Sequence, residues 1–229
     1  MPLTRLAVRP VVGLLVLLLS TVSTIRTSSA EEFTGSLLIV DGDTIVVGGR
    51  DVRIQGIDSA ELGQRCVNSQ RQFVRPGELA ADRLRLLAEG SVTCNGRNYD
   101  DYGRLIAICK TKNGTDVGAT LVREGLAWAF VKYSTEYVAD ETVARKNGIG
   151  VWQMKCQAPW EFRKARWAVA AQKAPDGCPI KGNISSNGHI YHTPWSRHYT
   201  ATRVSVNRGE RWFCNEKDAK DAGWRPPIR

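Results

Sequence analysis

The chain of 229 residues carries 32 Lys and Arg against 23 Asp and Glu, a net charge of +9. It has no internal repeat and no low-complexity tract, which excludes a solenoid or a simple disordered tail. A basic excess of this size favours an anionic partner, although positive surface charge alone also serves solubility.

The first thirty residues contain no Asp or Glu, carry Arg5, Arg9 and Arg26, run apolar from Val11 to Leu19 and end in Ser28-Ser29-Ala30. That pattern predicts a signal peptide over residues 1–30, cut before Glu31. Its apolar run is about half of the ~20 residues that a membrane span needs. The expectation is an exported protein, periplasmic or secreted, with no stable membrane insertion after cleavage. Residues 31–229 then hold 29 basic and 23 acidic residues, net +6.

Strand-like runs occupy residues 35–40, 44–47, 51–57, 91–95 and 105–110, each ended by Gly, Asn or Asp, with Gly48-Gly49 joining the second to the third. Short strands in this number predict a small barrel. A helix over residues 78–89 is opened by Pro76-Gly77 and closed by Gly90. Further helices are predicted over 117–124, stopped at Gly125, and over 137–146, stopped at Asn147-Gly148. Trp152, just past that stop, reads as a core plug rather than a ligand platform. Residues 160–173 are basic, alanine-rich and helical in pattern until Pro175-Asp176-Gly177 breaks them. The organisation expected is a barrel domain over 31–160, a basic helical linker over 161–176 and a small cysteine-containing module over 177–229. The fold class is α+β, mainly β.

All six cysteines fall after the leader, and an even number in an exported chain suggests bridges. Cys94 and Cys109 flank the turn between two strand-like runs, so a cross-hairpin bridge is sterically natural. Cys178 and Cys214 share the C-terminal region, which leaves Cys66 with Cys156 by elimination.

Asp41, Asp43, Asp58 and Glu61 converge if the second and third strands are neighbours, giving a hard-oxygen site suited to Ca2+. No imidazole or thiolate pair is offered that would favour zinc. Asp-Gly-Asp by itself is also an ordinary turn sequence. Two arginines shift the balance. Phosphodiester cleavage places extra negative charge on phosphoryl oxygens, and Arg53 and Arg104 can meet it with paired hydrogen bonds. Glu61 is then left to orient or deprotonate a water.

These residues, Asp41-Gly42-Asp43-Thr44, Arg53 to Glu61 and Asp100 to Arg104, resemble the staphylococcal-nuclease, or thermonuclease-like, family of calcium-dependent secreted nucleases. The resemblance covers roughly residues 33–160. It implies that Asp43, Asp58 and the backbone carbonyl of Ser59 hold calcium, and that Arg53, Glu61 and Arg104 are catalytic. The fold implied is an OB-type five-stranded barrel with three helices. Ser59 and Ala60 stand where the family has Thr and often Pro. Where the family stacks a nucleobase on tyrosines, this chain offers Tyr133 but Val131 at the other position. Tyr102, Phe130 and Tyr133 are the candidate substrate contacts, and each stacked base is worth ~1–3 kcal/mol. Nucleic acid, DNA or RNA, is the partner implied.

In the C-terminal module Asn215 is placed to cap a last helix that Gly223 ends. Cys178, His192, His198 and Cys214 fit no standard zinc finger, so a disulfide plus surface histidines is the expectation. With this tail, the chain is similar to nuclease-like proteins of succinoglycan production. That resemblance implies an alternative: a vestigial, non-catalytic barrel with an accessory role in exopolysaccharide biosynthesis, binding an acidic exopolysaccharide or a partner protein.

Overall fold

The computed structural model describes residues 30–228. The expected leader, apart from Ala30, lies outside the described residues. Among those described, no helix is long and apolar enough to cross a membrane.

Nine residues with alternating burial form β1 (Glu31–Ile39), followed by β2 (Thr44–Val47) and β3 (Arg50–Ile54). Gly48 and Gly49, at φ of 57° and 84°, make the tight link between the last two, a two-residue turn whose twist matches the strands only when both residues accept positive φ. Then come β4 (Ile57–Ser59), β5 (Cys66–Val67), β6 (Phe73–Val74), helix α1 (Pro76–Ala88), β7 (Ser91–Tyr99) and β8 (Leu105–Lys110). Strands β1, β2, β3, β8 and β7 close into a barrel in that order. All its pairings are antiparallel except β3 with β8. Ile45, Val47, Val52, Ile54, Leu105 and Ala107 fill its interior, and Ala81, Leu84 and Ala88 of α1 join the same core.

The sequence pattern of residues 51–57 reads as one strand, but the chain turns at Gly56, where φ is 75°. The residues beyond leave the barrel as β4 and pair with β9 (Ala127–Ala129), Asp58 opposite Trp128. Strand β7 runs four residues further than its apolar pattern, past a bulge between Gly96 and Asn98, where burial no longer alternates to mark it.

Helix α2 (Val117–Arg123) is capped by Asp116, whose carboxylate accepts from the Ala119 amide at 2.9 Å. It is followed by α3 (Val138–Lys146) and α4 (Pro159–Ala171). Trp152 packs edge-on against Trp128 at 5.5 Å beside Val151, as a plug. The C-terminal part comprises β10 (Ile180–Ser185), β11 (Gly188–His192), β12 (Arg211–Phe213) and α5 (Glu216–Asp221). Its three strands form a separate sheet, and Ile180, Tyr191, Phe213, Ala219 and Trp224 form its own small core. Asn215 caps α5 by accepting from the Asp218 amide at 2.8 Å.

The disulfides join Cys66 to Cys156, Cys94 to Cys109 and Cys178 to Cys214. The first ties β5, which pairs with β6 outside the barrel, to the segment leading into α4. Lys220 of α5 reaches back to Asp51 at 3.0 Å, and Arg197 to Glu78 at 3.1 Å, so the C-terminal module is docked on the barrel.

His192 departs from the surface position expected for it. It is buried, with Nε2 on Asn183 Oδ1 at 3.0 Å and Nδ1 without a partner. Burial, helped by His198 and Lys181, pushes its pKa down to about 4. The unfolded chain then takes up this proton first, so the stability contributed is intact above about pH 6.5 and is lost as pH falls toward 4. His192→Gln should flatten the dependence of the urea midpoint on pH across that window. An equally steep loss in the variant would assign it to other groups. Replacing Cys66 and Cys156 together by serine opens a link spanning 90 residues and should cost about 2–5 kcal/mol in the same denaturation experiment.

Candidate active site

The turn leading into β2 is organised by Asp41, whose Oδ1 accepts from the amides of Asp43 at 3.0 Å and Thr44 at 2.7 Å. This carries Asp43 inward. Gly42 is needed between them because a Cβ there would collide with the Ser59 side chain and with Ala80. Antiparallel register sets Arg53 of β3 opposite Thr44, beside Asp43. One guanidinium nitrogen of Arg53 donates to Asp43 Oδ1, and the other to Asp58 Oδ1 at 2.8 Å. Asp58 is within reach because the turn at Gly56 swings β4 back across this end of the barrel. The next residue, Ser59, donates its amide to Asp43 Oδ2 at 2.6 Å.

Asp43 and Asp58 are therefore both removed from water, the latter completely. Burial raises the pKa of Asp43, and Arg53 opposes that rise. Burial also works against the charge of Arg53, but Asp43 and Asp58 outweigh it and hold the guanidinium firmly protonated. Glu61 follows two residues after Ser59, its amide donating to Gln64 Oε1 at 3.3 Å. Burial pushes its pKa up to about 8, with Arg163 pulling the other way and Asp41 and Asp43 adding to the rise.

Arg104 enters from the turn before β8. Its amide and Nε donate to Asp100 at 2.9 and 2.7 Å, and Nη1 donates to Thr44 Oγ1 at 3.1 Å. Thr44, partnered by both arginines, links the two halves of the site.

Arg163 on α4 is the member that the sequence did not disclose. Its two terminal nitrogens donate to Asp58 Oδ1 at 3.0 Å and Oδ2 at 2.7 Å, and Nη1 also donates to Glu61 Oε1 at 2.8 Å. The segment expected to be a linker thus reaches into the site. Its basic, alanine-rich helical pattern gave no cue to this contact, because the pairing joins residues 105 positions apart.

Asp41, Thr44, Arg53, Glu61, Arg104 and Arg163 line a cleft of about 960 Å³ that residues of the C-terminal module also line. Lys164, Trp195 and Arg197 line it as well. Tyr102, Phe130 and Tyr133 also line it, and Tyr133 is largely exposed. Phe130 is covered by Trp160, stacked at 5.7 Å, a partner that the local sequence did not reveal.

No group of three or more His, Cys, Asp or Glu side chains is assembled to hold a metal among the described residues. Asp43 and Asp58 nevertheless offer hard oxygen donors turned to a common point, where Arg53 meets both, and a cation already satisfies them there. Such donors fit a hard divalent ion. Cys178 and Cys214 are joined to each other, so they are not zinc thiolates.

A family model described as Staphylococcal nuclease homologue matches residues 51–154, and another, described as ArfC, matches residues 160–226. The chain is 30% identical over 131 residues to the succinoglycan biosynthesis protein ExoI of Rhizobium meliloti, covering 55% of this chain and 67% of that protein. It is 32% identical over 152 residues to the micrococcal nuclease of Shigella flexneri, covering 58% and 82% respectively. Similarity to the endonuclease YhcR of Bacillus subtilis, 24% over 207 residues, takes in 82% of this chain but only 16% of that protein.

Arg53→Met should be costly even without any ligand, because it strips a buried cation from two buried carboxylates. About 3–5 kcal/mol of unfolding free energy should be lost in urea denaturation at neutral pH. Arg104→Met removes a part-buried pair with one carboxylate, Asp100, which is less buried than Asp43 and Asp58, and should cost less than Arg53→Met. Equal losses in the two variants would contradict this ordering.

Proposed function

This chain belongs to the family of staphylococcal nuclease homologues, and we propose that it is an exported, calcium-dependent hydrolase of phosphodiester bonds in DNA or RNA. The observation that carries the reading is the convergence of Arg53, Arg104 and Glu61 on one cleft beside two buried aspartates. Three disulfides support export, since such links persist in oxidising compartments.

In this reading Arg53 and Arg104 grip the non-bridging phosphoryl oxygens and neutralise the charge that grows on them in the transition state. Glu61 takes a proton from water as the water oxygen bonds to phosphorus, and the phosphorus–oxygen bond to the departing nucleotide breaks. Asp43, Asp58 and the Ser59 carbonyl would hold calcium, which when bound supplies further positive charge against the phosphate. Tyr102 and Tyr133 flank the cleft as stacking surfaces for bases.

Similarity to ExoI favours a second reading, in which the protein serves succinoglycan production without cleaving nucleic acid and the basic cleft holds an acidic polymer or a partner protein. Incubating single-stranded DNA and RNA with the protein, in calcium or in chelator, separates the two. Cleavage should require calcium and fall by about 10²–10⁴ in Glu61→Gln. A folded protein that leaves both substrates intact in calcium would sink the nuclease reading and favour the second.

A further inference from the structure

Arg163 lies beyond the segment that matches the nuclease homologues and inside the one that matches ArfC, yet its guanidinium sits within the site. We propose that Arg163 is an internal cation that competes with the divalent ion for Asp58, so that helix α4, braced by the C-terminal module, sets the ion concentration at which the site fills. This inference rests on the metal-dependent reading above.

The geometry leaves little room for both. Asp58 is fully buried, and its carboxylate accepts from Arg53 Nη2 and Arg163 Nη1 on Oδ1 and from Arg163 Nη2 on Oδ2. An ionised carboxylate offers about four acceptor positions, and guanidinium N–H groups take three of them here. An ion sharing Asp58 must break part of the Arg163 fork or stand beside a second positive charge at a fully buried carboxylate, where repulsion is weakly screened.

The same fork explains how the site stays folded before an ion arrives. Without Arg163, Asp43 and Asp58 would share Arg53 alone and Glu61 would lose the guanidinium it is paired with. Uncompensated burial of that kind opposes folding. Arg163 is also held in place by its helix. Trp160 stacks on Phe130 of the barrel side, and Arg166 Nε donates to Pro194 O of the C-terminal module at 3.1 Å. Because Nη1 bridges Asp58 and Glu61, displacement of the fork from Asp58 also loosens its hold on the carboxylate assigned as the base. Arg163 therefore acts as a positioning residue, through Asp58 and Glu61.

The test is calorimetric titration of calcium chloride into the parent protein, Arg163→Met and Arg163→Lys, with thermal unfolding of each in chelator and in saturating calcium. Arg163→Met should bind calcium at least tenfold more tightly than the parent, with Arg163→Lys between them. Its Tm should be lower in chelator and should rise further on adding calcium. If Arg163→Met does not fold in chelator, calcium-driven refolding at lower ion concentration than the parent needs for binding gives the same answer. Equal or weaker affinity in Arg163→Met, or no calcium binding by either protein, overturns the proposal. Cleavage by the parent alongside unchanged affinities would leave the nuclease reading standing without the competition. Competition in a protein that cleaves nothing would do the reverse.

Discussion

Two carboxylates shut away from water govern this end of the molecule. Asp43 and Asp58 cannot be hydrated where they lie, and a buried charge is tolerated only with partners close at hand. Arg53 meets both, the Ser59 amide meets Asp43, and Arg163 meets Asp58. Each of those partners requires a separate feature of the fold: the β2–β3 register, the turn at Gly56, and α4 lying across the barrel's end. The site and the fold are in this sense mutually dependent, because a barrel with these strands slipped by one residue would bury the aspartates without their cations.

The C-terminal module has a core of its own, around Ile180, Tyr191, Phe213 and Trp224, but its placement matters more to the chemistry than its content. It is joined to the barrel by the path through the Cys66–Cys156 bridge and by the Lys220–Asp51 and Arg197–Glu78 pairs. The exposed ion pairs contribute little individually. The bridge and the half-buried Arg163 fork are the stronger constraints on how the cleft is shaped. Lys164, Trp195 and Arg197 also line the cleft, cationic and aromatic side chains that the barrel alone would not provide.

Much of the barrel was legible because its residues obey local rules. Strands over 44–47 and 105–110 have the bounds that alternation and flanking turn residues indicated. Gly48-Gly49 marked its own turn, and Asn215 marked its helix. Misreadings arose where a local pattern continued through a change of partner. Residues 51–57 are apolar enough for one strand, and periodicity carries no sign that Gly56 sends the remainder to β9. His192 was read as exposed because a polar residue in a short strand gives no local cue to the face it takes. Its burial follows from the pairing of β11 with β10, which sets its ring against Asn183.

The sequence by itself determined the chemical inventory: which carboxylates and arginines are present, their positions at strand ends, and hence the class of reaction they suit. Those inferences depend on residue type and short spacing, which a chain displays directly. Only the tertiary structure decided that Arg163, 105 residues from Asp58, completes the site, and that Phe130 is paired with Trp160 rather than open. Contacts between distant elements depend on how helices and modules dock, and docking is settled by the sum of many buried surfaces and charge pairs rather than by any stretch of residues.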